Sequence, residues 1–364
     1  MTELPRRPVR WAILGTGAVS RKFAWDLRRA GGILAAVASR DPENARRFAH
    51  DLDVAVAAPD YAAAVAADVD AVYVATPPAL HEAHALLAIA AGKPVLVEKP
   101  FALDAAAAAR IAAAARAAGV FCMEAMWTRF QPLPTLVQQR IADGALGELR
   151  GFEARFCGAN LPEAGGGIFD ADAGGGALMH RGIYPLSLAR WFLGPVAEVQ
   201  TMARIGASGV DEDSVLLLRH EGGALSTLRA SLRSAGDEGI TVYGTRATLQ
   251  VEGPVWRPTG AVLRPTWAGP ARPGKPPRLE ALRESGAWIA VSERLSGVKR
   301  LIRGRGERLH APFAGNGYRH EAQALMAALA EGRTEEPRMT LAQSVEIMEL
   351  VDAARIAWGR GEDA

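Results

Sequence analysis

Between residues 9 and 126 short apolar, β-prone runs alternate with stretches whose apolar positions recur at helical spacing. The runs fall at 9–14, 34–39, 71–75, 94–98 and 120–124. Helices are predicted to start near Ala18, Pro42, Asp60, Ala79 and Asp104, several of them at an Asp or Pro of the kind that opens a helix. Strands separated by helices predict a doubly wound parallel sheet.

After Phe130 the rhythm changes. Gln131-Pro132-Leu133-Pro134 interrupts the chain, a helix follows to about Asp143, and residues 144–147 turn into a strand at 148–156. Strand-like runs then cluster at 196–205, 213–220, 224–232, 240–243 and 248–251, with turn pairs such as Gly222-Gly223 between them. Strands that follow one another without helices predict antiparallel meanders. Two helices, 316–331 and 341–358, close the chain. The stretch 254–312 is rich in Pro, Arg and Gly and reads as a long insertion or loop with one helix around 279–295. The expected organisation is an α/β domain over residues 1–126 followed by an α+β domain over 127–364. No repeat at a solenoid period is found.

A length of 364 residues agrees with two domains. Forty-two basic and 40 acidic residues leave a formal charge of +2, which gives no field to gather nucleic acid or an anionic membrane, so the expected partner is a small molecule. No apolar run approaches the roughly 20 residues that span a bilayer. The Arg6-Arg7 pair lacks a following signal core, and a cytoplasmic protein is expected. Two cysteines, Cys122 and Cys157, are too few for a disulfide framework or a zinc cluster; both are read as buried thiols, and no metal site is expected.

The first strand runs directly into Gly15-Thr16-Gly17-Ala18-Val19-Ser20 and a helix. In that context Gly15 permits a tight turn, Gly17 lets backbone approach a pyrophosphate, and the helix start offers free N–H groups to the anion. Ser20 stands where a third glycine is usual and is small enough for helix to pack on strand. A dinucleotide cofactor is therefore expected. Ser39-Arg40 ends the second strand, where a hydroxyl and a guanidinium suit the 2′-phosphate of NADP(H) better than the bare ribose of NAD(H). Asp41 follows and could draw Arg40 away as an ion pair.

Glu98-Lys99-Pro100 sets charge abruptly at the carboxyl edge of the fourth run, where open α/β sheets bind ligands. Lys99 could polarise a carbonyl or stabilise an alkoxide, with Glu98 orienting it or lining the nicotinamide site; a surface ion pair is the plainer reading. Thr76, Pro77 and His81 are assigned to the cofactor wall. In the second domain, Gly174-Gly175-Gly176 precedes His180 and Tyr184, four residues apart and on one face if helical. Both are candidate proton carriers, and Lys99 beside Tyr184 would favour its phenolate; a buried tyrosine with a satisfied hydroxyl is the alternative.

With Met123-Glu124-Ala125-Met126-Trp127-Thr128-Arg129-Phe130 and Gly317-Tyr318-Arg319-His320-Glu321 added, these motifs resemble, in order, the family of glucose-fructose oxidoreductase and inositol dehydrogenase. Within it they are most similar to the branch of dimeric dihydrodiol dehydrogenase and NADP-linked xylose dehydrogenases. The resemblance implies a Rossmann domain, a second domain whose large open, mostly antiparallel sheet forms a dimer face, and a site in the cleft between them. It implies Lys99 as catalytic lysine, Tyr184 as proton donor, and Trp127 and Arg129 in the segment lining cofactor and substrate. The implied activity is hydride transfer between NADP(H) and a hydroxyl or carbonyl carbon of a sugar, polyol or trans-diol, by a homodimer or homotetramer. The alternatives are a non-catalytic NADP-binding sensor and a sugar–sugar oxidoreductase with tightly held cofactor. One departure stands out: where the family carries an aspartate four residues before the proton donor, this chain has His180. That exchange leaves three alternatives, proton transfer by His180, a changed substrate or reduced activity, of which a changed substrate is the expectation.

Overall fold

The computed structural model describes residues 7–161, 167–236, 238–266, 288 and 306–359. Six parallel strands form the first sheet: β1 (Arg10–Leu14), β2 (Ile33–Ala38), β3 (Val56–Ala57), β4 (Ala71–Val74), β5 (Val95–Glu98) and β6 (Cys122–Ala125). Their order, β3-β2-β1-β4-β5-β6, reverses direction between β1 and β4. At that switch point the connections leave to opposite faces and open a crevice at the carboxyl ends of the strands. Near-complete burial of β1, β2, β4, β5 and β6 explains their uniformly apolar composition. The edge strand β3 was not legible, because two exposed residues carry no period.

The covering helices are α1 (Ala18–Ala30), α2 (Pro42–Asp51), α3 (Tyr61–Ala66), α4 (His81–Ala90) and α5 (Ala105–Ala118). Asp41, Asp60 and Asp104 cap α2, α3 and α5, accepting from Glu43 N at 2.9 Å, Ala63 N at 2.7 Å and Ala107 N at 2.7 Å. Each such cap contributes about 1 kcal/mol. The helix expected near Ala79 begins as a 3₁₀ turn, Pro78–Leu80, before α4. Asp41 is thus engaged with its own helix and forms no ion pair with Arg40.

The second sheet has eight strands: β7 (Leu149–Cys157), β8 (Val196–Ile205), β9 (Asp211–His220), β10 (Leu225–Ser231), β11 (Gly239–Gly244), β12 (Ala247–Glu252), β13 (Gly260–Pro265) and β14 (Glu307–His310). In the order β14-β13-β12-β11-β7-β10-β9-β8 every pairing is antiparallel except β7 with β10. Two meanders therefore meet at β7, an arrangement that consecutive strand patterns do not reveal. β13 and β14 also correct the reading of 254–312 as an insertion or loop: both ends of that stretch are sheet. Pro265 at the end of β13 and the charged Glu307 and Arg308 on β14 hid the strand pattern, as befits an edge. The helix expected around 279–295 lies outside the described residues.

Period-two burial fixes the faces. On β9, Ser214, Leu216, Leu218 and His220 point inward, while Val215, Leu217 and Arg219 point out; on β10, Ser226, Leu228 and Ala230 are inward. The inner face packs under α7 (Ile183–Leu193). The outer face shows Met202, Leu217 and Leu225 to solvent. α6 (Pro132–Ala142) follows the first sheet, and α8 (Arg319–Ala330) and α9 (Leu341–Gly359) return to it: α8 lies on α1, and α9 on α5 and β8.

Asp26 of α1 secures that return. Fully buried, its carboxylate accepts from the backbone N–H groups of Asn316 at 3.1 Å, Gly317 at 2.6 Å and Tyr318 at 3.0 Å. The loop before α8 is thereby held against the first domain. Asp26→Ala leaves three donors without a buried partner and is expected to cost roughly 3 kcal/mol. Urea denaturation followed by circular dichroism measures this; an unshifted midpoint would show that the loop is held by other contacts.

Candidate active site

The crevice at the switch point begins with Gly15. Its φ is +106° and an added Cβ would sit 2.5 Å from the Ala75 carbonyl oxygen, so only glycine lets the β1 turn close onto the end of β4. Gly17, the N-cap of α1, has open space beside it and supplies no side-chain cap, in contrast to the aspartate-capped α2, α3 and α5. Ala18 and Val19 are exposed in the first turn, so the free N–H groups of α1 face the crevice mouth. This uncapped, glycine-cleared helix start fits a pyrophosphate. Thr16 Oγ1 bonds Ser39 Oγ at 3.1 Å, joining the turn to the end of β2. Beyond Ser39 the exposed Arg40 guanidinium has no hydrogen bond or ion pair among the described residues.

Thr76 and Pro77 follow β4 in the adjoining wall, Thr76 buried and Pro77 exposed. The Thr76 hydroxyl meets His84 Nδ1 at 3.0 Å, a partner the sequence did not announce. His81 requires a correction. It is buried, with Nδ1 2.8 Å from the Pro100 carbonyl oxygen and Nε2 2.9 Å from that of Thr76. Burial lowers its pKa to about 4. As a neutral imidazole it donates to one of these two carbonyls at a time, and both of its ring nitrogens face backbone oxygens of the β4 and β5 loops.

Glu98 is buried at the end of β5, accepting from the Tyr73 hydroxyl and from Lys99 N at 3.1 Å. Burial raises its pKa against the pull of Lys99 and Tyr73. Lys99 itself is half-buried and carries Nζ to 5.0 Å from the centroid of the Tyr184 ring. Tyr184, 7% exposed, accepts at Oη from Trp127 Nε1 at 3.1 Å. Lys99 and Trp127 both favour the phenolate, yet burial outweighs them and the pKa lies above the ordinary tyrosine value. Lys99 thus favours the phenolate in the expected direction, and the group is nonetheless a phenol near neutral pH.

His180 lies in a π turn, Leu178–Gly182, that leads into α7. Such turns widen a helix and re-aim its side chains, often at functional sites. Burial first, then the cations Lys99 and Arg181, lower its pKa to about 3. Its ring donates to the Gly174 carbonyl, and Nε2 is buried with no partner. A neutral imidazole that donates from one nitrogen has a lone pair on the other. Near neutral pH His180 is thus a neutral imidazole whose Nε2, unpartnered among the described residues, is an acceptor.

His180 and Tyr184 both line a cavity of about 510 Å³. Its flat walls are Trp127, Phe156, Trp256 and Tyr318, with Trp127 stacked on Tyr318 at 4.4 Å between centroids and 6° between planes. Lys22, Arg181, Arg257 and Asn316 are also on its surface. Sequence reasoning missed these four and Trp256. Trp256 and Arg257 fall in the stretch read as a loop, and Asn316 in the turn that Asp26 grips. Arg129, expected to line the cleft, is placed elsewhere. Fully buried, it donates to Ser187 Oγ at 2.8 Å, Ser187 O at 2.6 Å and Arg338 O at 2.8 Å, and to Gln343. It pins the segment after β6 to α7 and to the start of α9, because an isolated buried guanidinium must find acceptors.

The geometry has close parallels. Residues 9–126 match an oxidoreductase family with an NAD-binding Rossmann fold, and residues 135–250 match the GFO/IDH/MocA C-terminal domain. The trans-1,2-dihydrobenzene-1,2-diol dehydrogenase of Sus scrofa is 30% identical over 359 residues, 96% of this chain and 97% of that protein. That of Bos taurus is 35% identical over 262 residues, 70% and 78% of the two chains. A levoglucosan dehydrogenase solved with NADH and levoglucosan shares the fold at 18% identity, with a TM-score of 0.81 over 97% of this chain and 98% of that one. A 3-ketoreductase from Actinomadura kijaniata, solved with NADP and TDP-benzene, is 25% identical with a TM-score of 0.76 over 97% and 98%. With both of its domains matched in sequence and in fold, the chain belongs to the GFO/IDH/MocA family of nicotinamide-dependent oxidoreductases.

Proposed function

We propose that the chain is an NADP(H)-dependent dehydrogenase or reductase that acts on a hydroxyl or carbonyl carbon of a sugar, polyol, trans-diol or related small molecule. The observation that carries this reading is the meeting of the Lys99 ammonium with the ring of Tyr184, which itself lines the cavity. Gly15, Thr16, Gly17, Ala18 and Val19 would hold the pyrophosphate, and Thr76, Pro77, Glu98 and Trp127 the nicotinamide end. Ser39 and Arg40 would hold the 2′-phosphate, the Arg40 guanidinium having no ion pair among the described residues. When bound, the nicotinamide ring supplies the hydride chemistry.

Each protein group then has a defined task. Lys99 places a positive charge beside the substrate oxygen, where charge develops during reduction. Trp127 N–H occupies one lone pair of Tyr184 Oη, which leaves the phenolic hydrogen to be donated to that oxygen. In oxidation the same Trp127 N–H and Lys99 stabilise the phenolate that receives the proton. His180 Nε2 accepts a hydrogen bond from a neighbouring substrate hydroxyl without bringing a charge. Association through the open face of the second sheet, as a dimer or tetramer, is part of the same proposal.

Tyr184→Phe and Lys99→Ala are expected to lower kcat/KM at least a hundredfold while changing the Kd for NADPH less than threefold. Because the pKa of Tyr184 is raised, its acid form is fully present at neutral pH and is lost only as pH rises past the ordinary tyrosine range. Reduction followed by NADPH absorbance is therefore expected to show no loss of kcat across neutral pH; a decline centred near pH 7 would assign the proton to another group. For the cofactor, Arg40→Ala is expected to reduce the NADP to NAD preference in kcat/KM by about tenfold. An unchanged ratio would contradict the role given to Arg40.

A further inference from the structure

The charges around the cavity do not balance. Lys22 of α1, Arg181 of the π turn and Arg257 of the loop before β13 all reach its surface, and none of the residues lining it is an aspartate or glutamate. None of the three takes part in an ion pair among the described residues. Among the described residues Lys22 makes no hydrogen bond, and Arg257, stacked over the Phe313 ring at 4.8 Å, donates from Nη2 to the Gly315 carbonyl at 2.6 Å while its Nε is buried without a hydrogen-bond partner. Arg181 is bonded to the neutral acceptors Gly158 O at 2.6 Å, Ser231 O and Asn160 Oδ1. Other arginines of this chain are paired with carboxylates, among them Arg190 with Glu346 at 2.7 Å and Arg110 with Glu82.

The nearby carboxylates are engaged elsewhere. Asp26 holds three backbone N–H groups and Glu98 holds Tyr73 and Lys99 N, while Glu238, which accepts from Val255 N at 3.3 Å, attracts Arg181 without forming an ion pair with it. At the position where the sequence resemblance implies an aspartate, His180 adds no negative charge. The residues of the dinucleotide cradle, Gly15 to Val19 with Ser39 and Arg40, are not among those lining the cavity. A half-enclosed space ringed by cations focuses a positive potential, and a bound anion is the neutralising partner.

We infer that the substrate of this site carries an anionic group, a carboxylate or a phosphate, held by Lys22, Arg181 and Arg257. Its carbon skeleton lies against Trp127, Trp256 and Tyr318, and its reacting carbon reaches Tyr184. This inference rests on the proposed function in taking the cavity as the substrate site, and it narrows the substrate class to hydroxy or keto acids and phosphorylated or acidic sugars.

The test uses matched pairs of probes on the full chain saturated with NADPH, with binding read by tryptophan fluorescence and calorimetry. D-glucose is compared with D-glucuronate and with glucose 6-phosphate, and trans-1,2-cyclohexanediol with 3,4-dihydroxycyclohexanecarboxylate. At least one anionic member is expected to bind tenfold or more tightly than its neutral partner, less so in high salt, and the glucose pairs separate carboxylate from phosphate. Lys22→Gln and Arg257→Gln are expected to bring that advantage below threefold with the NADPH Kd unchanged, and Arg257→Lys to retain most of it. Equal or tighter binding of the neutral partners, no binding by any anionic member, or an advantage that survives both substitutions would overturn the inference. An anion that binds as expected but is never oxidised or reduced sinks the hydride-transfer reading and leaves the charge inference standing.

Discussion

An ammonium from one sheet edge and a phenol from another domain can act together only while the two domains hold one relative position. Lys99 leaves the first sheet at β5, Tyr184 enters from α7 above the second, and the 5.0 Å between Nζ and the ring centroid is set by neither element alone. Three buried polar anchors fix it. Asp26 grips the loop before α8, Arg129 ties the β6 exit to α7 and α9, and Trp127 donates directly to Tyr184. Such anchors are costly unless every donor or acceptor is matched, and for that reason they lock a single arrangement.

Burial decides the protonation of the groups in the cleft. It raises Tyr184 despite two stabilising neighbours, lowers His180 to about 3 and lowers His81 to about 4. The outcome is a site whose ordinary state is a neutral phenol, a neutral imidazole and cations. A carboxylate in place of His180 would have partly offset Lys99, Arg181 and Arg257; the imidazole does not. The neutral imidazole leaves the positive charge of the cavity unopposed at this position, which links a single residue of the sequence to the kind of molecule proposed for the site.

Most of the architecture was legible in the sequence because the first sheet is buried on both faces and the second on one, so that burial wrote uniform or alternating runs into the chain. The glycine turn and Lys99 stood out in the sequence because they sit at abrupt ends of apolar runs, and Tyr184 because it follows a triple glycine four residues after His180. What escaped was set by tertiary contact. β3 and β14 are short or charged edges, β7 lies between strands distant in sequence, and Trp256, Arg257 and Asn316 reach the cavity from loops with no local period. Arg129 and His81 carried polar groups of the right type in the right segments, yet folding turned both inward onto carbonyl and hydroxyl oxygens.

A crystal structure of the complex with NADPH tests the central claim most directly. The account predicts the nicotinamide ring beside Lys99 and Tyr184, with space for a substrate carbon at about 3–3.5 Å from its C4 and within hydrogen-bond reach of Tyr184 Oη. A nicotinamide bound away from both side chains, or a pyrophosphate seated elsewhere than at the start of α1, would contradict it.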